Sequence, residues 1–392
     1  MTAPLIRDGF VAVRDGRVTG VGASVDRATS EDETEIDLGR AIVMPGFVNA
    51  HTHLELSNLR DAVPAERGFV PWIEDQLRVR AERPAAEVPA AIRTAIEALR
   101  ATGTAAVADV SNSLAAVSLL AESPLHALVL HEVLGFDPAR AGSVLDQTKA
   151  TRAAAHEALE AFGPEVTRRV RIEVAAHAPH SLSRELFQRL LSDGGVRSIH
   201  VAESRSEDDF LESGSGDWRG FLDRRVGPVP FEAPGTSPVR YLDDLGVLTP
   251  GLLAVHCVRV DEDDATRLAS RGAVAVLCPR SNEFLGNGVP PLAMLLGRGV
   301  SLALGSDSLA SAASLNVLED ARLLARLFPR VPKAVLLHAL TRGGALALGF
   351  DDLGEIRVGA RASFAAVSFE GAPPRDPSAF VLGESAASWA VA

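Results

Sequence analysis

Lysine is nearly missing from this chain of 392 residues; it occurs only at Lys149 and Lys333. Cysteine is as scarce. Cys257 and Cys278 sit in the apolar stretches LLAVHCV and AVAVLCP, which excludes a disulfide framework and reads as two reduced packing residues. No window holds about 18 uninterrupted apolar residues, and MTAPLIRDGF lacks the basic segment and apolar run of a signal peptide, so the expectation is a cytoplasmic protein with no membrane partner. Positive charge is in deficit. The 39 Lys and Arg against 51 Asp and Glu leave a net charge of −12, a surface that repels a phosphate backbone, so nucleic acid is excluded as a partner.

What remains is a chain able to fold. Hydrophobic residues at 47% and charged residues at 23% are far from the composition of disorder, and the length fits one large domain plus a small one. Eight short apolar runs punctuate the sequence: PGFVNAH (45–51), GTAAVADV (103–110), HALVLHEVLG (126–135), VRIEVAAHAPH (170–180), SIHVAES (198–204), GLLAVHCV (251–258), GAVAVLCPRS (272–281) and VSLALGSDS (300–308). They are rich in Val, Leu and Ala without polar alternation, as parallel strands buried on both faces should be. The segments between them carry helical spacing; in AAIRTAIEALRATG, Ile92, Ile96 and Leu99 share one stripe and Gly103 is the stop signal. Eight strands alternating with helices predict an α/β fold, a (β/α)8 barrel of the TIM type. An open doubly wound sheet is the alternative, but no strand leads into a glycine-rich phosphate loop, and LGNG near Gly286 reads as an ordinary loop.

The two ends have another texture. FVAVRDGRVTGVGA, with Asp15-Gly16 as a hairpin signal, and GEIRVGARASFAAVSF near the C-terminus read as short strands. They are expected to pair into one small β-sandwich domain, with residues 1–44 and 345–392 flanking a barrel of residues 45–344. The irregular stretch from Glu212 to Gly235 is a candidate active-site loop.

Chemistry-bearing residues gather at the predicted strand ends. His51 and His53, two apart at the end of a strand, point to one side in the manner of metal ligands. His177, His180, His200, His256 and Asp307 fall at or just past the ends of other strands, with His131 near a further one. In a (β/α)8 barrel that rim is where active sites are built. His126, His156 and His338 read as structural.

MPGFVNAHTHLELS, HAPHSLS, HVAES, VHCV, CPRSN and LGSDSLAS, in this order from Val43 to about Ser311, resemble the deaminase and chlorohydrolase branch of the amidohydrolase superfamily. GEIRVGARASF is similar to the returning strand of that family's β domain, although Gly359-Ala360-Arg361-Ala362-Ser363 stands where the family usually reads Gly-x-x-Ala-Asp. The resemblance implies a distorted barrel with one divalent metal ion held by His51, His53, His200 and Asp307. Three imidazoles and a carboxylate suit zinc, though they also accept iron. A metal ion lowers the pKa of water from 15.7 towards roughly 7, giving hydroxide without a strong base. Glu203, three residues after His200, can take the water's proton and deliver it to a ring nitrogen. His256 can orient the water, and Asp307 can pass the second proton to the departing amine. The two-metal branch needs a carbamylated lysine at the end of the fourth strand; Lys149 and Lys333 lie elsewhere, so that branch is excluded.

Substrate contacts rest on shorter signals. The position of His177 resembles a substrate-contacting histidine of the branch, while His180 and Trp72 read as structural. HTHLELS resembles the aminodeoxyfutalosine deaminases more than the S-adenosylhomocysteine (SAH), guanine or triazine enzymes, which implies a purine nucleoside as the small-molecule partner. Glu55 in that motif could accept from a base edge or from ribose hydroxyls, or serve as an ion-pair partner. A benzoate carboxylate on such a substrate would want an arginine, for which Arg60, Arg205 and Arg280 are candidates. Deamination of SAH, methylthioadenosine or guanine, or dechlorination of a triazine, is the alternative; a catalytically inert metal-binding scaffold is a third reading. Relatives are commonly dimers, which implies a possible homodimer.

Overall fold

The computed structural model describes residues 5–26, 34–383 and 388–391. Residues 1–4 and 27–33 of the N-terminal segment and 384–387 and 392 of the C-terminal one lie outside the described residues.

The apolar runs become strands. In chain order β1 (Gly9–Arg14), β2 (Arg17–Ala23) and β3 (Ala41–Pro45) precede β4 (Phe47–Thr52), β5 (Thr104–Ser111), β6 (His126–Val133), β7 (Val170–Ala176) and β8 (Ser198–Val201). Then follow β9 (Leu253–His256), β10 (Val274–Leu277), β11 (Ser301–Leu304), β12 (Phe364–Ser368) and β13 (Ser388–Val391). β4 to β11 are hydrogen-bonded in sequence order as one parallel eight-stranded sheet. Its two edges meet through a bridge between Thr52 and Asp307, so the sheet curls into a nearly closed barrel. Val48, Ala50, Ala106, Ala108, Leu128, Leu130, Val255 and Val276 fill its interior, and the opposite faces of the strands pack against the helical layer.

The helices follow the sequence stripe. The helix Val88–Ala101 buries Ile92, Ala95, Ile96 and Leu99. It stops at Gly103, whose φ of +87° favours glycine and where a Cβ would stand 2.8 Å from the Ala365 Cβ.

Beneath the barrel the chain ends pair. β1 and β2 form the expected antiparallel hairpin, and β3, β12 and β13 form a three-stranded antiparallel sheet. An isolated bridge from Arg17 to Arg361 links the two. Of the C-terminal run GEIRVGARASFAAVSF only Phe364–Ser368 is strand; the glycine-rich half before it is a turn, held by Gly359 N–H donating to Val18 O at 2.8 Å. No described helix is long and apolar enough to cross a membrane.

Candidate active site at the barrel rim

The first strand supplies two imidazoles through a local irregularity. Between Asn49 and Thr52 the register of β4 on β5 slips by one residue, a bulge that re-aims side chains where the strand reaches the rim. His51 and His53 then lie edge to face, 4.8 Å between ring centroids. Gly305, just past β11, makes room for them: a Cβ there would be 2.7 Å from His51 Cβ and 2.9 Å from Cys278 Sγ.

Four donors converge. His51 Nε2 is 3.3 Å from His200 Nε2, and Asp307 Oδ1 is 3.7 Å from His51 Nε2 and 3.6 Å from His53 Nε2. A tetrahedral ion about 2.0–2.1 Å from each nitrogen spaces its ligands by roughly 3.3 Å, so this donor set fits one divalent metal ion. Burial lowers the pKa of all three imidazoles, to about 4 for His200, keeping them neutral with lone pairs free. His200 Nδ1 lies 2.8 Å from the carbonyl oxygen of His177, which can only accept, so the proton sits on Nδ1 and Nε2 faces the site. Burial opposes ionisation of Asp307, but His51, His53 and His256 outweigh it and hold the carboxyl well below its usual range.

Glu203 behaves in the opposite way. Burial, then the charges of Asp307 and Glu207, push its pKa well up. Its Oε2 lies 3.7 Å from His256 Nε2, and Asn287 Nδ2 donates to its Oε1 at 3.2 Å. His256 Nδ1 donates to Asn282 Oδ1 at 2.9 Å, leaving Nε2 turned to the site. Ser281 Oγ donates to Asp307 Oδ2 at 2.5 Å. The backbone is strained at these three strand ends, where Ala202, His256 and Asp307 have φ of +51°, +74° and +60°.

The structure thus gathers His51, His53, His200, Glu203, His256 and Asp307. It brings His177 alongside, its ring centroid 5.2 Å from that of His200. His180 stacks on Trp218 at 4.0 Å; that tryptophan stands on the helix Asp217–Arg225, within the segment read as an active-site loop. His131 is in the next register on β6 from the interior residues Leu128 and Leu130, and so faces the helical layer. Trp72 is buried in helix packing, its Nε1 donating to Val63 O at 3.2 Å.

Of the two roles expected of Glu55, substrate contact and ion-pair partner, the geometry shows the ion pair. Its Oε1 pairs with Arg80 NH2 at 2.8 Å and accepts from Asn112 N at 3.1 Å; its Oε2 accepts from Ser111 Oγ at 2.9 Å and Ser113 Oγ at 2.5 Å. Both oxygens are engaged by the protein itself. The arginine candidates do not face the site as free cations either. Arg280 is held by Asp320 at 2.7 Å and by the carbonyls of Ser314 and Asn316; Arg60 is exposed and donates to Ala313 O; Arg205 is an exposed neighbour of Asp209.

Sequence reading missed the supports. Ser281 and Asn282 lie in the CPRSN motif and Asn287 in the LGNG loop; polar residues just after a strand end are the available signal. Glu132, one residue before the end of β6, has no such signal, because it lies inside the apolar run HALVLHEVLG.

A parallel barrel with three imidazoles and a carboxylate converging at its C-terminal rim defines a metal-dependent barrel hydrolase. The chain belongs to the amidohydrolase family, whose sequence profile matches residues 42–387. It is 34% identical over 358 residues to the aminodeoxyfutalosine deaminase of Deinococcus radiodurans, covering 85% of this chain and 81% of that protein. A 5-methylthioadenosine/S-adenosylhomocysteine deaminase of Pelotomaculum thermopropionicum is 28% identical over 383 residues, covering 93% and 81%. Among solved structures, Helicobacter pylori aminofutalosine deaminase in complex with methylthio-coformycin superposes with a TM-score of 0.80 at 26% identity, over 96% of this chain and 90% of that one. An adenosine deaminase from Xanthomonas campestris with bound zinc gives a TM-score of 0.76 at 26% identity, over 98% and 86%.

Proposed function

We propose that this amidohydrolase is a hydrolytic deaminase of an adenine-type nucleoside, with 6-aminodeoxyfutalosine, converted to futalosine and ammonia, as its substrate. The observation that carries the reaction is geometric: His51, His53, His200 and Asp307 converge at the barrel rim, with Glu203 and His256 paired beside them. His51, His53, His200 and Asp307 would hold one divalent ion, best suited to zinc. Such an ion, when bound, supplies hydroxide at neutral pH by lowering the pKa of water towards roughly 7.

The chain's own residues do the rest. Glu203 relays a proton from the attacking water to the purine ring nitrogen next to the carbon that carries the amine. His256, fixed by Asn282, orients the water through its free Nε2. Asp307 takes the second proton and passes it to the departing amine, so that water and C–NH2 become C=O and ammonia. His177 contacts the substrate beside His200.

The HTHLELS motif and the Deinococcus radiodurans relative support aminodeoxyfutalosine. Methylthioadenosine or SAH is the second reading, favoured by the Pelotomaculum thermopropionicum relative. Ammonia release and the ultraviolet change from adenine to hypoxanthine, followed on metal-analysed protein with these nucleosides in parallel, test the proposal. Turnover of aminodeoxyfutalosine well ahead of the others is expected. Silence on every adenine nucleoside from fully metallated protein would overturn it.

A further inference from the structure

Next to last on β6 stands Glu132, a carboxylate to which the reaction above gives no part. Parity along the strand fixes where it points: Leu128 and Leu130 line the barrel interior, so Glu132, two residues on, faces the same way at the rim. One of its oxygens is tied down. Asn112 Nδ2 donates to Glu132 Oε2 at 2.9 Å, and Asn112 is itself placed by its backbone bond to Glu55 and by Arg80, whose NH1 lies 3.4 Å from its Oδ1. The chain Glu55, Arg80, Asn112 therefore ends by orienting Glu132.

The other oxygen is open. Glu132 Oε1 is buried and has no hydrogen-bond partner among the described residues, although His200 Nδ1 is 3.7 Å away. His200 does not satisfy it, because that nitrogen already donates to His177 O. Glu132, His177 and His200 do bring ligating atoms within 4.8 Å of one another, but the His200 Nδ1 that lies 3.7 Å from Glu132 Oε1 is already committed to His177 O. A buried carboxylate oxygen without a donor is costly, and a ligand bearing an O–H or N–H removes the cost.

Position selects which donor. The Nε2 edge of His200 faces His51 and the metal-ligand cluster; Glu132 sits at the opposite, Nδ1 edge. The substrate group that meets it therefore belongs to the part of the molecule away from the reacting amidine. In an adenine nucleoside the donors distant from the 6-amino group are the sugar hydroxyls. Resting on the nucleoside deaminase reading above, we propose that Glu132 Oε1 accepts a hydrogen bond from a ribose hydroxyl and makes the enzyme selective for substrates that carry it.

The test takes the metal-loaded full chain and the adenine nucleoside it deaminates fastest, with the 2′-deoxy and 3′-deoxy forms, and compares wild type with Glu132→Ala and Glu132→Gln. Wild type should lose about 10- to 100-fold in kcat/KM on removal of one of the hydroxyls. Glu132→Ala should lose a similar factor on the parent nucleoside and be indifferent to that deoxygenation. Glu132→Gln keeps an acceptor oxygen and should stand between them. Metal content and thermal unfolding report on any variant that fails to fold; Glu132→Gln, nearly isosteric, then carries the comparison. If Glu132→Ala, or Glu132→Gln in its place, retains the full wild-type hydroxyl preference, or if wild type turns over both deoxy forms as fast as the parent, the inference falls while the deaminase reading stands. If wild type deaminates no nucleoside, both fall.

Discussion

The backbone N–H of Glu203 donates to the Glu207 carboxylate oxygen Oε2 at 2.9 Å, one helical turn on in the same chain segment. Glu207 is buried, and its acceptor braces the left-handed turn at Ala202 that delivers Glu203 to the site. Glu207→Leu removes the acceptor at similar volume and should lower kcat about 10- to 100-fold with KM and metal content little changed. Glu207→Gln keeps an acceptor and should restore most of the rate. Steady-state kinetics on both variants check this; equal losses in the two would sink the bracing role.

Glu203 is the residue proposed to carry the proton relay. Glu203→Gln should reduce kcat by about 10²–10⁴ while nucleoside still binds and metal content stays the same. Turnover close to wild type would remove Glu203 from the reaction.

Metal removal should abolish activity. A chelator is expected to silence the enzyme and added zinc to restore it, whereas His53→Ala or Asp307→Asn should lower metal content and resist rescue. Elemental analysis beside the rate assay separates loss of metal from loss of chemistry.

Gly305→Ala should be as damaging as loss of a ligand although it adds one carbon. The new Cβ would fall 2.7 Å from the Cβ of His51, between barrel strands that cannot yield locally. Reduced metal content together with a lower unfolding temperature is the expected result; normal metal loading would show that the seam can open.

Glu55 should contribute to stability. Burial alone would raise its pKa, but Arg80 and the bonds from Ser113, Asn112 and Ser111 outweigh that and hold it below the usual value. A carboxyl depressed in the folded state stabilises fully above its unfolded pKa, about 4.3, and loses that contribution as pH falls through the folded value. Glu55→Gln should therefore cost about 1–3 kcal/mol at pH 7, with the gap to wild type closing below about pH 4. Denaturant melts of both proteins at pH 7 and pH 3.5 measure the two gaps.

The contrast between Glu55 and His51 shows what a sequence can reveal. His51, His53, His200 and Asp307 are legible because the strands that carry them are continuous apolar runs and the polar residue stands where each run ends. The barrel is legible for the same reason. Glu55 is not, because Arg80 comes from the next helix and Ser111 and Ser113 from the next strand end, and no local pattern says which partner a carboxylate finds. Glu132 hides inside HALVLHEVLG, where only the alternation along the finished strand separates it, facing the barrel, from His131, facing the helices. The arginines fail likewise: proximity to a strand end did not disclose that Asp320 already holds Arg280.

The Thr52–Asp307 bridge joins the first stave of the barrel to the last, and it is narrow. Ser306 N and Asp307 N both donate to His51 O, at 3.2 and 3.1 Å, and the Asn49 side chain exchanges bonds with Ser306. Two of the proposed metal ligands, His51 and His53, stand on one side of this join and Asp307 on the other. An ion seated among them would be a clasp across the hoop, fastening ends that lie some 250 residues apart in the chain and opposing the entropy that favours springing it open. On the proposed reading, a chain still emerging from synthesis would have no complete donor set until its last stave arrives, which would tie loading of the ion to closure of the barrel.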